Sequence, residues 1–343
     1  MPSSALIQVQ VQHKTRLADD IVGLQLQATD GSALPAFSAG AHIDLHLPNG
    51  QIRQYSLAND PQVSAFYELG ILLDPASRGG SRCVHQDIQA GDQLHISQPR
   101  NLFALAPAPR YRLFAGGIGI TPILSMAYQL YAQGAEFELH YCARSRSRAA
   151  YVERLQAAAF AERVHLYFDD EPASARMDAA ALLAPPDQSH LYICGPSGFI
   201  RHLTSTAAQQ GWSSEQVHYE QFAAPTRSSD NSASDNSASD NSASDNSASD
   251  NSSSDRAFEI QLASSGQVIS VAANESAADA LTRAGVAVAL SCEQGICGSC
   301  LLPIVDGEPD HRDYFQTQTE RAANSHFTPC CSRAKSRRLV INR

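Results

Sequence analysis

Five of the eight cysteines in this chain gather near its C-terminal end: Cys292, Cys297, Cys300 and the adjacent pair Cys330 and Cys331. The run Ser291-Cys-Glu-Gln-Gly-Ile-Cys-Gly-Ser-Cys300 spaces them C-x4-C-x2-C, and 29 residues separate Cys300 from Cys330. Four thiolates in this order match the plant-type [2Fe–2S] pattern. Structural zinc is the competing use, but it is usually held by paired short C-x2-4-C knuckles, which this spacing lacks. Gly295 and Gly298 let the loop turn tightly and aim backbone N–H groups at the sulfurs. The fourth ligand stays open on the residues alone, because neighbours in an extended segment point opposite ways and only one of Cys330 and Cys331 is needed.

A second set of residues suits a flat ring and its phosphates. Arg53-Gln-Tyr-Ser56 joins an arginine that can fork onto a phosphate, an aromatic that can lie along a ring and a hydroxyl that can bond a ring nitrogen. As a four-residue string it also reads as an ordinary strand. Ser77-Arg-Gly-Gly-Ser81 offers backbone donors and hydroxyls to a phosphate. Ala115-Gly-Gly-Ile-Gly-Ile-Thr-Pro122 follows an apolar run and opens a helix, and its glycines allow close backbone approach to a cofactor. It is not G-x-G-x-x-G. Cys194-Gly-Pro-Ser-Gly-Phe199 repeats the same junction of strand end and helix start. Either loop alone is turn chemistry; both, in order after R-x-Y-S, are hard to attribute to chance. The twelve histidines show no H-E-x-x-H and read as scattered polar residues. Asp169-Asp170-Glu171 reads as a solvated strand end rather than a metal site, and Cys83 and Cys142 as small buried residues.

The elements that must position these groups fall into distinct stretches. Up to about Leu105, short alternating runs separated by turn signals suggest an antiparallel barrel: Ile7–Val11, Ile21–Leu26, His42–Leu47, Gln54–Leu57, Phe66–Leu73 and Gln93–Ser97. From Tyr111 the rhythm becomes strand Arg112–Ala115, helix Ile123–Ala132, strand Glu136–Ala143, helix Ala149–Phe160 and strand Val164–Phe168. Strand Leu191–Cys194 and helix Gly198–Gln209 follow. This βαβ rhythm predicts a doubly wound parallel sheet whose carboxyl edge carries both glycine loops. In Ser228–Asp255 the unit Asp-Asn-Ser-Ala-Ser repeats from Asp230. Nothing there is larger than Asn or Asp, so the segment cannot bury apolar surface and reads as a disordered tether spanning roughly 30 Å. Beyond it, Phe258–Leu262 and Gln267–Val271 read as a hairpin, Ser276–Ala284 as a helix and Leu339–Asn342 as a closing strand.

Composition excludes other classes. The chain has 343 residues, 43% hydrophobic and 17% charged, with a net charge of −10. That suits packed cores and argues against non-specific nucleic-acid binding. No apolar run approaches the ~18 residues of a membrane helix. Met1 to Gln12 lacks a basic stretch followed by an apolar one, so a cytoplasmic protein is expected, and with it metal or redox use of the cysteines rather than a disulfide framework.

With these motifs in sequence, the first 225 residues resemble the ferredoxin–NADP reductase-like flavoprotein module. The whole chain outside the tether is similar to the phthalate dioxygenase reductase and vanillate O-demethylase reductase group. The resemblance implies four parts: an FMN-binding β-barrel over 1–106, an NAD-binding α/β domain over 107–227, the linker 228–255 and a β-grasp ferredoxin domain over 256–343. It assigns Arg53, Tyr55, Ser56, Gly80, Ser81 and Phe222 to FMN. Gly116, Gly117, Gly119, Thr121, Pro122, Cys194, Gly195, Pro196 and Phe199 fall to NADH. It makes Cys330 the fourth cluster ligand, with Cys331 in a hydrophobic slot before Ser332-Arg333. The implied activity carries electrons from NADH through FMN and the cluster to a Rieske-type terminal oxygenase, with no catalytic residue beyond the cofactors. A reductase for a haem monooxygenase, a free-standing diaphorase and a zinc-stabilised binding protein are the alternatives. Arg144 and Arg146 follow a strand where the 2′-phosphate of NADPH would dock.

Overall fold

The computed structural model describes residues 6–75, 79–222 and 255–343, and the chain forms two compact units, Met1–Ala223 and Ala224–Arg343. The repeat up to residue 254 lies outside the described residues.

The first unit begins with strands β1 (Ile7–Ala18), β2 (Ile21–Ala28), β3 (Ala41–His46), β4 (Ile52–Ser56) and β5 (Tyr67–Leu72). Helix α1 (Gly80–Gln86) and strands β6 (Gln93–Ile96) and β7 (Arg100–Asn101) follow. The strands pair antiparallel in the order β4-β3-β6-β1-β2-β5, with β7 on β3. The two ends of that path meet at the bridge between Leu57 and Leu69, and the Ala58 N–H donates to the Glu68 carbonyl at 2.9 Å. Alternation explains the core: Val9, Val11, Leu24, Leu26, Ile43, Leu45, Leu69 and Ile71 all point into one buried cluster.

The rest of this unit comprises β8 (Arg110–Gly116), α2 (Ile120–Ala132), β9 (Glu136–Ala143), α3 (Val152–Ala157) and β10 (Val164–Phe168). Then come α4 (Ala179–Leu183), β11 (Ser189–Cys194), α5 (Ser197–Gln209) and β12 (Val217–Glu220). All five strands are parallel, in the order β10-β9-β8-β11-β12. One face packs Leu113, Ala115, Leu139 and Tyr141 against Ile120, Ile123 and Leu124 of α2. The other sets Phe114, Leu191 and Ile193 against Leu183, Ile200 and Leu203 of α4 and α5. The strand order reverses between β8 and β11, so both glycine loops emerge at the switch point, where open parallel sheets bind ligands. The helix expected over Ala149–Phe160 is shorter: Tyr151 is left-handed at φ 64° and α3 ends before Ala158 turns extended. Helices α1 and α4 and strand β12 carry too little periodic signal to be read from the sequence.

Within this unit Arg154 grips the Glu68 carboxylate with both terminal nitrogens, at 2.7 and 2.9 Å, and the buried Ser125 hydroxyl donates to the Asn59 carbonyl at 3.0 Å. These bonds tie the antiparallel sheet and its β4–β5 connection to α2 and α3.

The second unit holds β13 (Phe258–Leu262), β14 (Val268–Val271), α6 (Ala277–Arg283), β15 (Leu302–Asp306) and β16 (Pro309–Asp310). It continues with α7 (Gln318–Ala323), β17 (His326–Phe327), β18 (Arg333–Ala334) and β19 (Arg338–Ile341). Its main sheet runs β14-β13-β19-β15-β17, with β13 and β19 parallel and the other neighbours antiparallel; β16 pairs β18. Ile260, Leu262, Leu281, Leu302, Phe327 and Leu339 form its core. Ser276 caps α6 by accepting the Asp279 N–H at 3.1 Å, and Thr317 and Glu320 form a capping box on α7. Asp255, assigned to the tether in sequence, pairs with Arg312 at 2.8 Å. Near the C-terminus Lys335 pairs with Glu308 and Arg338 with Glu259. Among the described residues no helix is long and apolar enough to cross a membrane.

Candidate functional site

The cysteine loop lies between α6 and β15, and its backbone is set by residues that tolerate positive φ. Gly295 and Gly298 sit at 74° and 67°, and Glu293 at 53°. Both glycines are also required by space. A Cβ on Gly295 would stand 2.4 Å from Cys331 Sγ, and one on Gly298 would stand 2.5 Å from the Phe315 ring. This folding aims N–H groups at sulfur: Gln294 donates to Cys292 and Ser299 to Cys297, each at 3.4 Å.

The sulfurs of the four candidate ligands lie in two contacting pairs. Cys292 bonds Cys297, and Cys300 lies 3.4 Å from Cys330. Proton sharing inside each pair pulls the Cys297 thiol down to about 5 and lowers Cys300, while raising Cys292 and Cys330. The hydrogen bonds from the partner sulfurs lower Cys297 and Cys300 against their burial, toward the thiolate that metal ligation requires. Two pairs of cysteines, in a loop whose N–H groups face sulfur, fit a two-iron cluster. Cys331 also bonds the Cys330 sulfur, which with the Thr328 and Ser332 hydroxyls pulls its thiol down to about 7, and its own sulfur lies against Gly295 and 3.4 Å from the Thr328 hydroxyl.

In the first unit the two glycine loops interlock. A Cβ on Gly119 would fall 2.2 Å from the Cys194 carbonyl oxygen and 2.7 Å from the Gly195 nitrogen. One on Gly195 would meet the Phe199 ring at 2.8 Å, and one on Gly116 would meet Pro196 and Phe199 at 3.0 Å. Gly116, Gly119, Cys194, Gly195, Pro196 and Phe199 are therefore brought together, backbone against backbone. Gly117, at φ 55°, makes the turn that α2 continues. Thr121 is buried and returns its hydroxyl to the Ile118 carbonyl at 3.1 Å, and Pro122 lies in the first turn of α2.

The antiparallel sheet contributes the other wall. Arg53 Nη1 donates to the Ile52 carbonyl at 2.7 Å, and its side chain fills the space beside Gly80, where a Cβ would come within 2.7 Å. Arginine and the start of α1 are thus in contact. The Ser81 hydroxyl accepts the Asp74 N–H at 3.1 Å; Ser77 and Arg78 lie outside the described residues. Tyr55 packs beside the sheet core, where burial pushes its phenol up. Ser56 is buried and bonds the carboxyl of Glu220, the last residue of β12.

Sequence reasoning missed Glu220, although it lies in His218-Tyr-Glu-Gln-Phe222 two residues before the singled-out aromatic. Glu220 pairs in register with Cys194, burial pushes its carboxyl up to about 8, and Oε2 has no hydrogen-bond partner. Burial, with Glu220 next to it, also raises the Cys194 thiol. An acceptor left unsatisfied beside Ser56 and the interlocked loops is what a ring-bearing cofactor would complete. The sequence signal was slight: a carboxylate at the end of the short run Val217-His-Tyr-Glu220, before Phe222. Phe222 follows β12 and is 40% exposed. At the ends of β9 and β10, Arg146 lies over the Phe168 ring at 5.2 Å, and the Asp170 N–H donates to the Arg144 carbonyl at 3.2 Å.

Comparison with known proteins agrees with both halves. Residues 260–335 match a family described as 2Fe-2S iron-sulfur cluster binding domain, and residues 113–205 match oxidoreductase NAD-binding domain. The chain is 48% identical over 98% of its length to all of a vanillate O-demethylase oxidoreductase from a Pseudomonas species. It is 39% identical, over 99% of each chain, to a heme-dependent oxidative N-demethylase beta subunit from Ectopseudomonas mendocina. Among solved structures, phthalate dioxygenase reductase aligns at a TM-score of 0.75 and 33% identity, covering 99% of this chain and 98% of that one. A type IV self-sufficient cytochrome P450 monooxygenase aligns at 0.77 and 37%, covering 98% of this chain, which spans 41% of that longer protein.

Proposed function

The chain belongs to the family of vanillate O-demethylase oxidoreductase and phthalate dioxygenase reductase, and from that membership we propose that it is an NADH-dependent reductase delivering electrons through FMN and a [2Fe–2S] cluster to a Rieske-type terminal oxygenase. It is an oxidoreductase with pyridine-nucleotide and iron–sulfur domains. The carrying observation is that Ser56 of the antiparallel sheet, Glu220 of β12 and the interlocked Gly119 and Cys194 backbones share one edge of the parallel sheet.

Within this reading the parts are a flavin-binding barrel over 1–106, an NAD domain over 107–227, a linker and a β-grasp ferredoxin domain from 256. The flavin, when bound, takes a hydride and passes electrons on singly, which suits a one-electron cluster. Arg53, Gly80 and Ser81 would hold its phosphate and Tyr55 and Ser56 its ring, with Phe222 contributing from the end of β12. The interlocked glycine loops would let their backbone approach a nicotinamide closely, with the Pro196 and Phe199 side chains packed against Gly116. Glu220, neutral below about pH 8, keeps a buried charge away from that place while offering a hydrogen bond. Cys292, Cys297, Cys300 and Cys330 hold the cluster.

Purified holoprotein should show flavin and [2Fe–2S] absorption together, release FMN on extraction, and prefer NADH over NADPH in kcat/KM. A protein without visible absorption, or one yielding FAD, overturns the respective assignment. A second reading is favoured by relatives that are partners or parts of haem enzymes: the same reductase serving a haem monooxygenase. Cross-reduction of purified Rieske and haem oxygenases, followed by stopped-flow absorbance, separates the two.

A further inference from the structure

The segment between β16 and α7 covers one side of the cysteine loop. The Tyr314 N–H donates to the Gly295 carbonyl at 2.8 Å, and a Cβ on Gly295 would come 2.9 Å from Asp313 Cα. Asp313 is therefore packed directly behind the turn that shapes the loop. Its side chain is 0% exposed. Oδ2 accepts the Gln316 N–H at 2.7 Å, but Oδ1 has no hydrogen-bond partner.

Across from Oδ1, at 3.8 Å, lies Nδ1 of His311, which is also buried and without a partner. The other ring nitrogen, Nε2, sits 3.1 Å from Asn324 Oδ1, an acceptor. With Nε2 donating to that oxygen, the neutral ring presents its Nδ1 lone pair toward Asp313 Oδ1. Two acceptors thus face each other in a buried space, and one proton at Nδ1 would satisfy both as a charge-assisted bond.

The surrounding charges do not serve this gap. Arg321 gives Nη2 to the Asp313 carbonyl and keeps Nε without a partner. Arg312 is held by Asp310 and Asp255, and Glu320 by Thr317. His326 gives its carbonyl to Gln316 and Nδ1 to the Ser325 hydroxyl. Cys331 feels the Asp313 charge, but its sulfur is taken up by Cys330, Thr328 and Gly295.

We propose that His311 and Asp313 form a proton-accepting pair that is coupled to reduction of the cluster and tunes it. One electron arriving from the reduced flavin is accompanied by one proton from water, which binds His311 Nδ1 and bridges to Asp313 Oδ1. When the electron leaves for the terminal acceptor, the proton returns to water. Negative charge added in front of Gly295 raises proton affinity behind it, and by linkage the proton raises electron affinity equally. The inference rests on the cluster ligation proposed above.

The test is an electron paramagnetic resonance-monitored redox titration of the cluster in the full holoprotein from pH 5.5 to 9. Full coupling changes the reduction equilibrium tenfold per pH unit, about 59 mV for one electron, inside the titration window. Asp313→Asn and His311→Gln should each flatten that dependence. Should both variants lose the cluster, Asn324→Asp, at a position whose left-handed φ of 49° suits aspartate, places an anion against Nε2 and should move the window to higher pH. A wild-type potential independent of pH, an unchanged slope in either folded Asp313 or His311 variant, or an unmoved window in Asn324→Asp overturns the proposal. Absence of any [2Fe–2S] signal in the wild type would instead overturn the ligation it rests on.

Discussion

Replacing Gly119 with alanine tests whether the interlocked loops are the nucleotide site. The new Cβ would lie 2.2 Å from the Cys194 carbonyl oxygen and 2.4 Å from its carbon, both rigid backbone atoms at the end of β11. Ordinary contact requires the loops to separate by roughly 1 Å, a displacement that at a reacting centre costs on the order of 100-fold in rate. The accompanying overpacking costs about 1–3 kcal/mol, which a large unit tolerates. Gly117→Ala is the matched control, because no atom lies within 4 Å of its Cβ position and only the φ of 55° is unfavourable. Stopped-flow reduction of the bound flavin by NADH should therefore slow on the order of 100-fold in Gly119→Ala and far less in Gly117→Ala. Flavin content and the cluster signal should stay intact in both. If Gly119→Ala reduces its flavin at the wild-type rate with wild-type NADH affinity, the loops are a packing device and the nucleotide binds elsewhere.

Other perturbations separate the remaining assignments. Cys330→Ser should abolish or distort the cluster's visible and paramagnetic signals, whereas Cys331→Ser, whose sulfur faces Gly295 and Thr328, should leave them nearly unchanged; equal loss in both refutes the choice of ligand. Arg53→Ala should weaken FMN binding about ten- to a hundredfold, from roughly 1.5–3 kcal/mol for a charge-assisted bond, measured by flavin fluorescence on titration of apoprotein. Glu220 binds its proton more tightly folded, at about 8, than unfolded, so folding stability falls as pH rises from its ordinary range near 4.5 toward 8. Glu220→Gln should match the wild-type melting temperature near pH 5 and exceed it at pH 8.5, and parallel profiles would show that the carboxyl is not titrating there.

The parts legible in the sequence were those where one residue type answers one local demand. Cysteine spacing is local, so the loop from Cys292 to Cys300 could be read as a ligand set before any fold was known. The junctions at Gly116 and Gly195 were legible because glycine is needed wherever backbone must touch backbone, and the structure places each against the other. The βαβ rhythm survived because α2 and α5 bury periodic apolar faces over 13 residues each. Short elements failed for the converse reason. Helix α4, five residues long, is fixed by Asp178 at its N-cap and by the core it enters rather than by its own period.

What stayed illegible depends on surroundings. Glu220 is an ordinary carboxylate until β12 pairs with β11, sets it beside Cys194 and closes its Oε2 off from water. His311 and Asp313 are two polar residues in a loop until their free lone pairs face each other behind Gly295. In each case chemistry comes from burying an acceptor without giving it a donor, at a cost of about 1–3 kcal/mol that only tertiary packing can hold in place. Such sites carry no motif because their information lies in a missing partner.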